Sequence, residues 1–200
     1  MSKIKHLNGS DESVGLADVT GLILAGGEGR RAGGADKGLI EWRGKRLVEH
    51  VYERLLPQVG ELIISCNRNH DVYGSLAPTV TDKRVPSQGP LAGIEAVQDK
   101  ISTPFLAICP CDTPSIPPDL VIRLLDGMRS ASDACGVAYA HDRDRAHYLC
   151  AVLRTDRLST CTDLLEEGRR SVHGWYATLQ PTVVRFLEST GAFENHNHLA

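Results

Sequence analysis

The segment Leu24-Ala25-Gly26-Gly27-Glu28-Gly29-Arg30-Arg31-Ala32-Gly33-Gly34-Ala35-Asp36-Lys37 combines five glycines with two arginines and a lysine. Glycine turns through positive φ and lets backbone N–H groups close on a ligand. Such a backbone with cations beside it suits a polyphosphate. Downstream, Asp112 stands in Pro110-Cys111-Asp112-Thr113-Pro114. A carboxylate is a hard oxygen ligand, and Mg²⁺ takes one or two of them together with substrate phosphates. Prolines on either side would hold that carboxylate rigidly. Asp82 is a weaker candidate of the same kind.

Each motif also has a plainer meaning. Gly27-Glu28-Gly29-Arg30-Arg31-Ala32 fits the dinucleotide pattern GxGxxG/A by letter. That pattern needs an immediate helix and an acid ending the second strand; Gly33-Gly34 and Cys66-Asn67 supply neither. A Walker loop fails because no GK[ST] closes it. A flexible surface loop would leave the placement of Arg31 and Lys37 without a reason. Asp112 and Asp82 could be turn or cap residues. Asn67, in Asn67-Arg68-Asn69, could meet a base or ribose, or simply form a turn. Gly89-Pro90-Leu91-Ala92-Gly93 reads as a helix start with exposed amides. His141, His147 and His173 lack ligand spacing and read as surface or packing residues. A metal role for His196 and His198 is the weaker reading.

The elements that must position these residues alternate in type. Strands are expected at Thr20–Ala25, Leu62–Cys66, Thr79–Val80, Phe105–Cys109, Ala134–Tyr139, Tyr148–Leu153 and Thr182–Phe186. Helices are expected at Arg46–Leu56, Leu91–Lys100, Pro118–Ser130, Asp156–Glu167 and Ser171–Leu179. Short apolar runs between helices imply βαβ units and a mostly parallel sheet. Ligands of such sheets sit at the carboxyl ends of strands. That edge is where the glycine loop, Asn67, Asp82 and Asp112 fall.

The chain has 200 residues, enough for one domain: a tail over 1–18 and a domain over 19–200. Its formal net charge of −3 argues against a general nucleic-acid binder. No apolar run approaches the ~20 residues of a membrane span, and the polar N-terminus has no apolar signal core. A cytoplasmic location without membrane attachment is expected. The six cysteines form no CxxC pair and read as reduced, buried thiols rather than a disulfide framework.

Taken in order, these motifs resemble the molybdenum cofactor guanylyltransferase family. The residues that carry the resemblance are Leu24–Gly27, Arg31 with Gly33–Gly38, Asn67–Asn69, Gly89–Gly93, Pro110–Pro114 and Phe193-Glu194-Asn195-His196-Asn197. It spans Val19 to Asn197. It implies a Rossmann-like three-layer α/β/α nucleotidyltransferase fold, and transfer of GMP from GTP to the terminal phosphate of molybdopterin with release of pyrophosphate. It further implies that Leu24, Ala25, Gly26 and Gly27 meet the guanine nucleotide through backbone, and that Arg31 and Lys37 pair with the triphosphate. Asn67 and Asp82 would contact base or ribose. Asp112 would bind Mg²⁺. Arg170, Asn195 and Asn197 would lie near the pterin substrate or the metal. Molybdoenzymes and other cofactor-synthesis proteins are implied partners. The chain departs from the family pattern at Ala32, where methionine is usual, and at His198-Leu199-Ala200.

A phosphate monoester has a second pKa of about 6 and is largely dianionic at neutral pH. The chemistry then asks for alignment and charge neutralisation rather than a strong base. The alternatives are a cytidylyltransferase or sugar-phosphate nucleotidylyltransferase with the same loop, and a non-catalytic guanine-nucleotide binder.

Overall fold

The computed structural model describes residues 14–27, 36–188 and 191–196. In chain order the elements are β1 (Val19–Leu24), β2 (Glu41–Trp42), β3 (Lys45–Arg46), α1 (Leu47–Leu55), β4 (Glu61–Ser65), α2 (His70–Gly74), β5 (Thr79–Val80) and α3 (Pro90–Val97). They continue as β6 (Phe105–Pro110), α4 (Leu120–Ala131), β7 (Val137–His141), β8 (Ala146–Arg154), α5 (Ser159–Glu166), α6 (Val172–Tyr176) and β9 (Thr182–Arg185).

Seven strands form one sheet in the order β5-β4-β1-β6-β8-β7-β9. The pairs β4/β5, β1/β4, β1/β6 and β7/β9 are parallel. Among the described residues, β8 alone runs against its sheet neighbours. Its first residues therefore stand at the edge where the parallel strands end. β2 and β3 form a separate hairpin.

The sheet is covered on both faces, and β6 shows why. Ala107 and Cys109 point into one apolar cluster, with Val48, Val51 and Leu55 of α1 and Leu124 and Leu125 of α4. Leu106 and Ile108 point into the other, with Leu91, Ile94 and Val97 of α3 and Leu164 and Leu165 of α5. A strand alternating at period two with both sets apolar must lie between two layers. Burying each such side chain stabilises the fold by roughly 1.5–3 kcal/mol.

Most boundaries shift by a residue or two from expectation, and some elements differ for physical reasons. The tail expected over 1–18 lies largely outside the described residues. Its end, Leu16–Asp18, forms a 3-10 turn in which Asp18 accepts from the Gly15 amide at 2.8 Å, while Val14 and Leu16 pack on the core. α4 starts two residues late, at Leu120, where the side-chain oxygen of buried Gln58 accepts from the Val121 amide at 3.0 Å. Residues Thr155–Arg157 make a 3-10 turn, so α5 starts at Ser159. α6 is shorter than expected and, at five residues, too short to hold by itself. Ser171 caps it, and fully buried Trp175 anchors it by donating Nε1–H to Thr160 at 2.8 Å. All six cysteines are free and buried.

Candidate active site

A cleft of ≈ 1060 Å³ opens along the carboxyl edge of the parallel strands. Its walls include Leu24, Ala25, Gly26, Gly27, Lys37, Asp82 and Asp112, together with Arg170 and Asn195. These residues come from six separate stretches of chain, and the strand ends gather them.

The end of β1 is braced on both sides. The Ala25 amide donates to the Ser65 carbonyl at 2.8 Å, and the Cys111 amide donates to the Leu24 carbonyl at 3.1 Å. Asn67 does not project freely toward a ligand. Its Nδ2 donates to the Gly26 carbonyl at 3.1 Å and to Asp82 at 2.8 Å, while its Oδ1 accepts from the Asp82 amide at 3.0 Å. Ser87 donates to the same Asp82 oxygen at 2.8 Å. Asn67 and Asp82 therefore form one rigid bracket against the backbone of Gly26. A Cβ on Gly26 would stand 3.0 Å from Asn67 Nδ2, so glycine permits this approach. The loop carrying Asp82 is pinned further on, where Arg84 grips buried Glu95 of α3 through two hydrogen bonds of 2.8 and 2.7 Å.

Lys37 Nζ lies 3.4 Å from Asp112 Oδ2, with the lysine side chain 31% exposed and the aspartate 10%. Asp36 fixes the lysine's backbone. It accepts from Tyr73 of α2 at 2.5 Å and from Asn69 at 2.8 Å, and Arg68 approaches it at 3.5 Å. Asp36 and Tyr73 were not expected from the sequence. A five-residue helix shows too little periodicity to be read as one.

The other wall of the cleft is built around β8. Arg145, Ala146, His147 and Tyr148 line it, with His173 from α6. His147 and His173 pack against aromatic rings, as expected, and also line the cleft. The reversed direction of β8 brings its start to the site. Expecting ligands at carboxyl ends alone passes over it. The signal was the eight-residue span 140–147 between the two expected strands, too short for a parallel crossover and so favouring antiparallel pairing.

Asp142 organises that turn. One carboxylate oxygen accepts from the Asp144 and Arg145 amides, both at 2.8 Å, and the other pairs with His147 Nε2 at 2.6 Å. Burial works against its charge, but the Arg145 amide, His147 and the Asp144 amide outweigh it and hold the carboxyl at about 2. Burial lowers His147 below the ordinary imidazole value, overriding the pull of Asp142. The ring is therefore neutral at pH 7, with its proton on the nitrogen facing Asp142.

The segment 193–196 ties the two walls together. The Phe193 ring stacks on His147 with centroids 4.7 Å apart. Asn195 accepts from the Thr113 hydroxyl at 2.9 Å, and the His196 amide donates to the Asp112 carbonyl at 2.9 Å. The His196 ring packs at 4.7 Å on Trp42 of the small hairpin. Arg170 is exposed on the rim. Arg31, Asn197 and His198 lie outside the described residues.

Two thiols also line the cleft. Burial pushes Cys111 far above the ordinary thiol value, and a hydrogen bond with Cys109 together with burial does the same for Cys150. Neither is a thiolate nucleophile at neutral pH. Among the described residues there is no group of three or more His, Cys, Asp or Glu side chains able to hold a metal. Asp112 is a single carboxylate with one oxygen toward Lys37. That donor set suits a Mg²⁺ ion that draws its remaining ligands from water and phosphate.

The chain matches the model of the MobA-like NTP transferase domain over residues 21–181. It is 39% identical over 180 residues to the molybdenum cofactor guanylyltransferase of Shewanella sp. (strain MR-4), covering 90% of each chain. It is 37% identical over 186 residues to that of Bordetella petrii, covering 92% of this chain and 94% of the relative. The fold is similar to molybdopterin-guanine dinucleotide biosynthesis protein A from Archaeoglobus fulgidus, with a TM-score of 0.69 and 21% identity over 89% of this chain and 92% of the other. Such identity and coverage carry more than a shared fold: this chain belongs to the family of MobA-like NTP transferases and is a nucleotidyltransferase.

Proposed function

We propose that this chain transfers GMP from GTP to the terminal phosphate of molybdopterin, giving the guanine dinucleotide and pyrophosphate. The single observation that carries the reading is the Lys37–Asp112 pair in the cleft, within a chain so similar to molybdenum cofactor guanylyltransferases.

In this reading the backbone of Leu24, Ala25, Gly26 and Gly27 receives the nucleotide, with the base and ribose toward Asn67 and Asp82. Lys37 neutralises triphosphate charge, and Arg31 does so by the family motif. Asp112 holds Mg²⁺, and when bound the ion offsets charge on the α-phosphate and the departing pyrophosphate. The acceptor lies along the β8 wall, held by Arg170 and Asn195 and, by the family motif, by Asn197. Its dianionic phosphate attacks the α-phosphorus in line, and the P–O bond to pyrophosphate breaks. No strong general base is required, because the nucleophile is already ionised. Aligning two anions is the larger task, and fixed cations and backbone amides perform it.

Among the described residues no helix is long and apolar enough to cross a membrane. Action in the cytoplasm, and delivery of product to apo-molybdoenzymes or to other cofactor-synthesis proteins, belong to the same proposal.

The test is pyrophosphate release with GTP, Mg²⁺ and molybdopterin. Release with GTP but not with CTP or UTP, abolished by EDTA, is expected. Tight CTP binding with none for GTP would overturn the choice of nucleotide. GTP binding without pyrophosphate release would favour a non-catalytic binder.

A further inference from the structure

His147 is held on one side and open on the other. Its Nε2 is fixed by Asp142 at 2.6 Å, and one ring face lies against Phe193. The side chain is only 8% exposed. Its other nitrogen, Nδ1, makes no hydrogen bond among the described residues, yet it is not among the polar atoms sealed from solvent. His147 lines the main cleft and does not line the smaller cavity beside the 142–145 turn. Of these two cavities only the cleft has His147 in its wall, and the open nitrogen is assigned to it.

The chemistry of that nitrogen follows from its partner. An ionised carboxylate only accepts, so Nε2 carries the ring proton and Nδ1 is left as a bare lone pair. A lone pair in the wall of the cleft accepts from a ligand N–H or O–H and repels a phosphate. Its position decides which molecule supplies the donor. Asn67 and Asp82 mark the ends of β4 and β5, and His147 starts β8, three strands beyond β4. At about 4.8 Å per strand that is about 14 Å, beyond the phosphates of a nucleotide whose base sits at β4.

Building on the guanylyltransferase reading, we propose that His147 is an acceptor-selecting residue: Nδ1 accepts a hydrogen bond from a ring N–H of the pterin. Asp142 is a positioning residue that fixes the tautomer, and Phe193 sets the plane of the ring. The site then distinguishes a flat heterocycle with N–H donors on its edge from a sugar phosphate carrying the same terminal phosphate.

Two substitutions separate recognition from scaffolding. His147→Gln can still donate to Asp142 but places no acceptor where Nδ1 stands. His147→Asn places an amide oxygen near Nδ1 but cannot reach Asp142. With molybdopterin and GTP, H147Q is expected to raise the KM for the pterin about tenfold, as for one lost hydrogen bond, with kcat and GTP affinity near wild type. H147N should recover part of that loss. Nitrogen-15 NMR of the wild-type protein should show the Nε2–H tautomer. Wild-type KM in H147Q, or an Nδ1–H tautomer in the wild type, would overturn the inference while leaving guanylyl transfer standing. Absence of the guanine dinucleotide with the wild-type protein would overturn the reading beneath it, and the inference with it.

Discussion

Thr113 donates its hydroxyl to the Asn195 side chain at 2.9 Å, joining residues 82 positions apart in the chain. The bond fixes one wall of the cleft to the loop that carries Asp112. Thr113→Val keeps the shape and removes the donor. It should lower kcat/KM for molybdopterin about three- to tenfold, the worth of one neutral hydrogen bond, and leave GTP affinity unchanged. Initial rates at varied pterin, with calorimetric GTP titration, check this; an equal loss toward GTP would contradict it.

Lys37→Ala and Asp112→Ala should each lower turnover about 100-fold or more, since each removes charge stabilisation from the reacting phosphates. Both should fold. The lysine end of the 3.4 Å pair is partly exposed while Asp112 is buried, so thermal midpoints should fall by a few degrees without loss of the fold. Near-wild-type pyrophosphate release in either variant would remove the assigned role.

Tyr73→Phe tests the clamp behind the lysine. The lost hydroxyl leaves Asp36 with Asn69 and Arg68 as partners. The expected cost is about 1–2 kcal/mol, with a raised KM for GTP because the backbone of Lys37 loosens. Gly38→Ala should act in the same direction, since a Cβ there would meet the Tyr73 hydroxyl at 2.5 Å. Urea unfolding and nucleotide kinetics report the two effects separately.

Asp142 should make stability depend on acid. Its folded value of about 2 lies below the roughly 3.9 of an unfolded aspartate. The unfolded state therefore takes up the proton first as pH falls, and the contribution present above about pH 4 is lost between about 4 and 2. His147, lowered by burial, adds a loss that begins below about 6.5. Asp142→Asn should flatten the fall of the urea midpoint between about pH 4 and 3. An unchanged slope would show that other carboxylates carry it.

The side of the cleft formed by Leu24–Gly27, Lys37 and Asp112 was legible because its markers are chemically unusual. A run of glycines with cations, and an aspartate between prolines after an apolar strand, have few other reasons to exist. The opposing wall was hard to read because strand direction leaves no trace in composition. Tyr148–Leu153 reads identically up or down the sheet, and only the shortness of the connection before it fixes its sense. The hairpin β2–β3 and α2 were missed because Glu41-Trp42, Lys45-Arg46 and His70–Gly74 are not only short but largely polar. Asn67 and Asp82 were singled out separately in the sequence, but their mutual bracket was not, since a hydrogen bond across 15 positions has no sequence signature.

The segment 193–196 carries a consequence for cleavage of the chain. Every strand of the sheet, β9 included, precedes it. It nevertheless supplies the ring stacked on His147 and the amide bonded to the Asp112 carbonyl. A nick between Arg185 and Phe193 would leave all the strands in place while parting the two walls of the cleft, so that donor and acceptor would no longer share one frame.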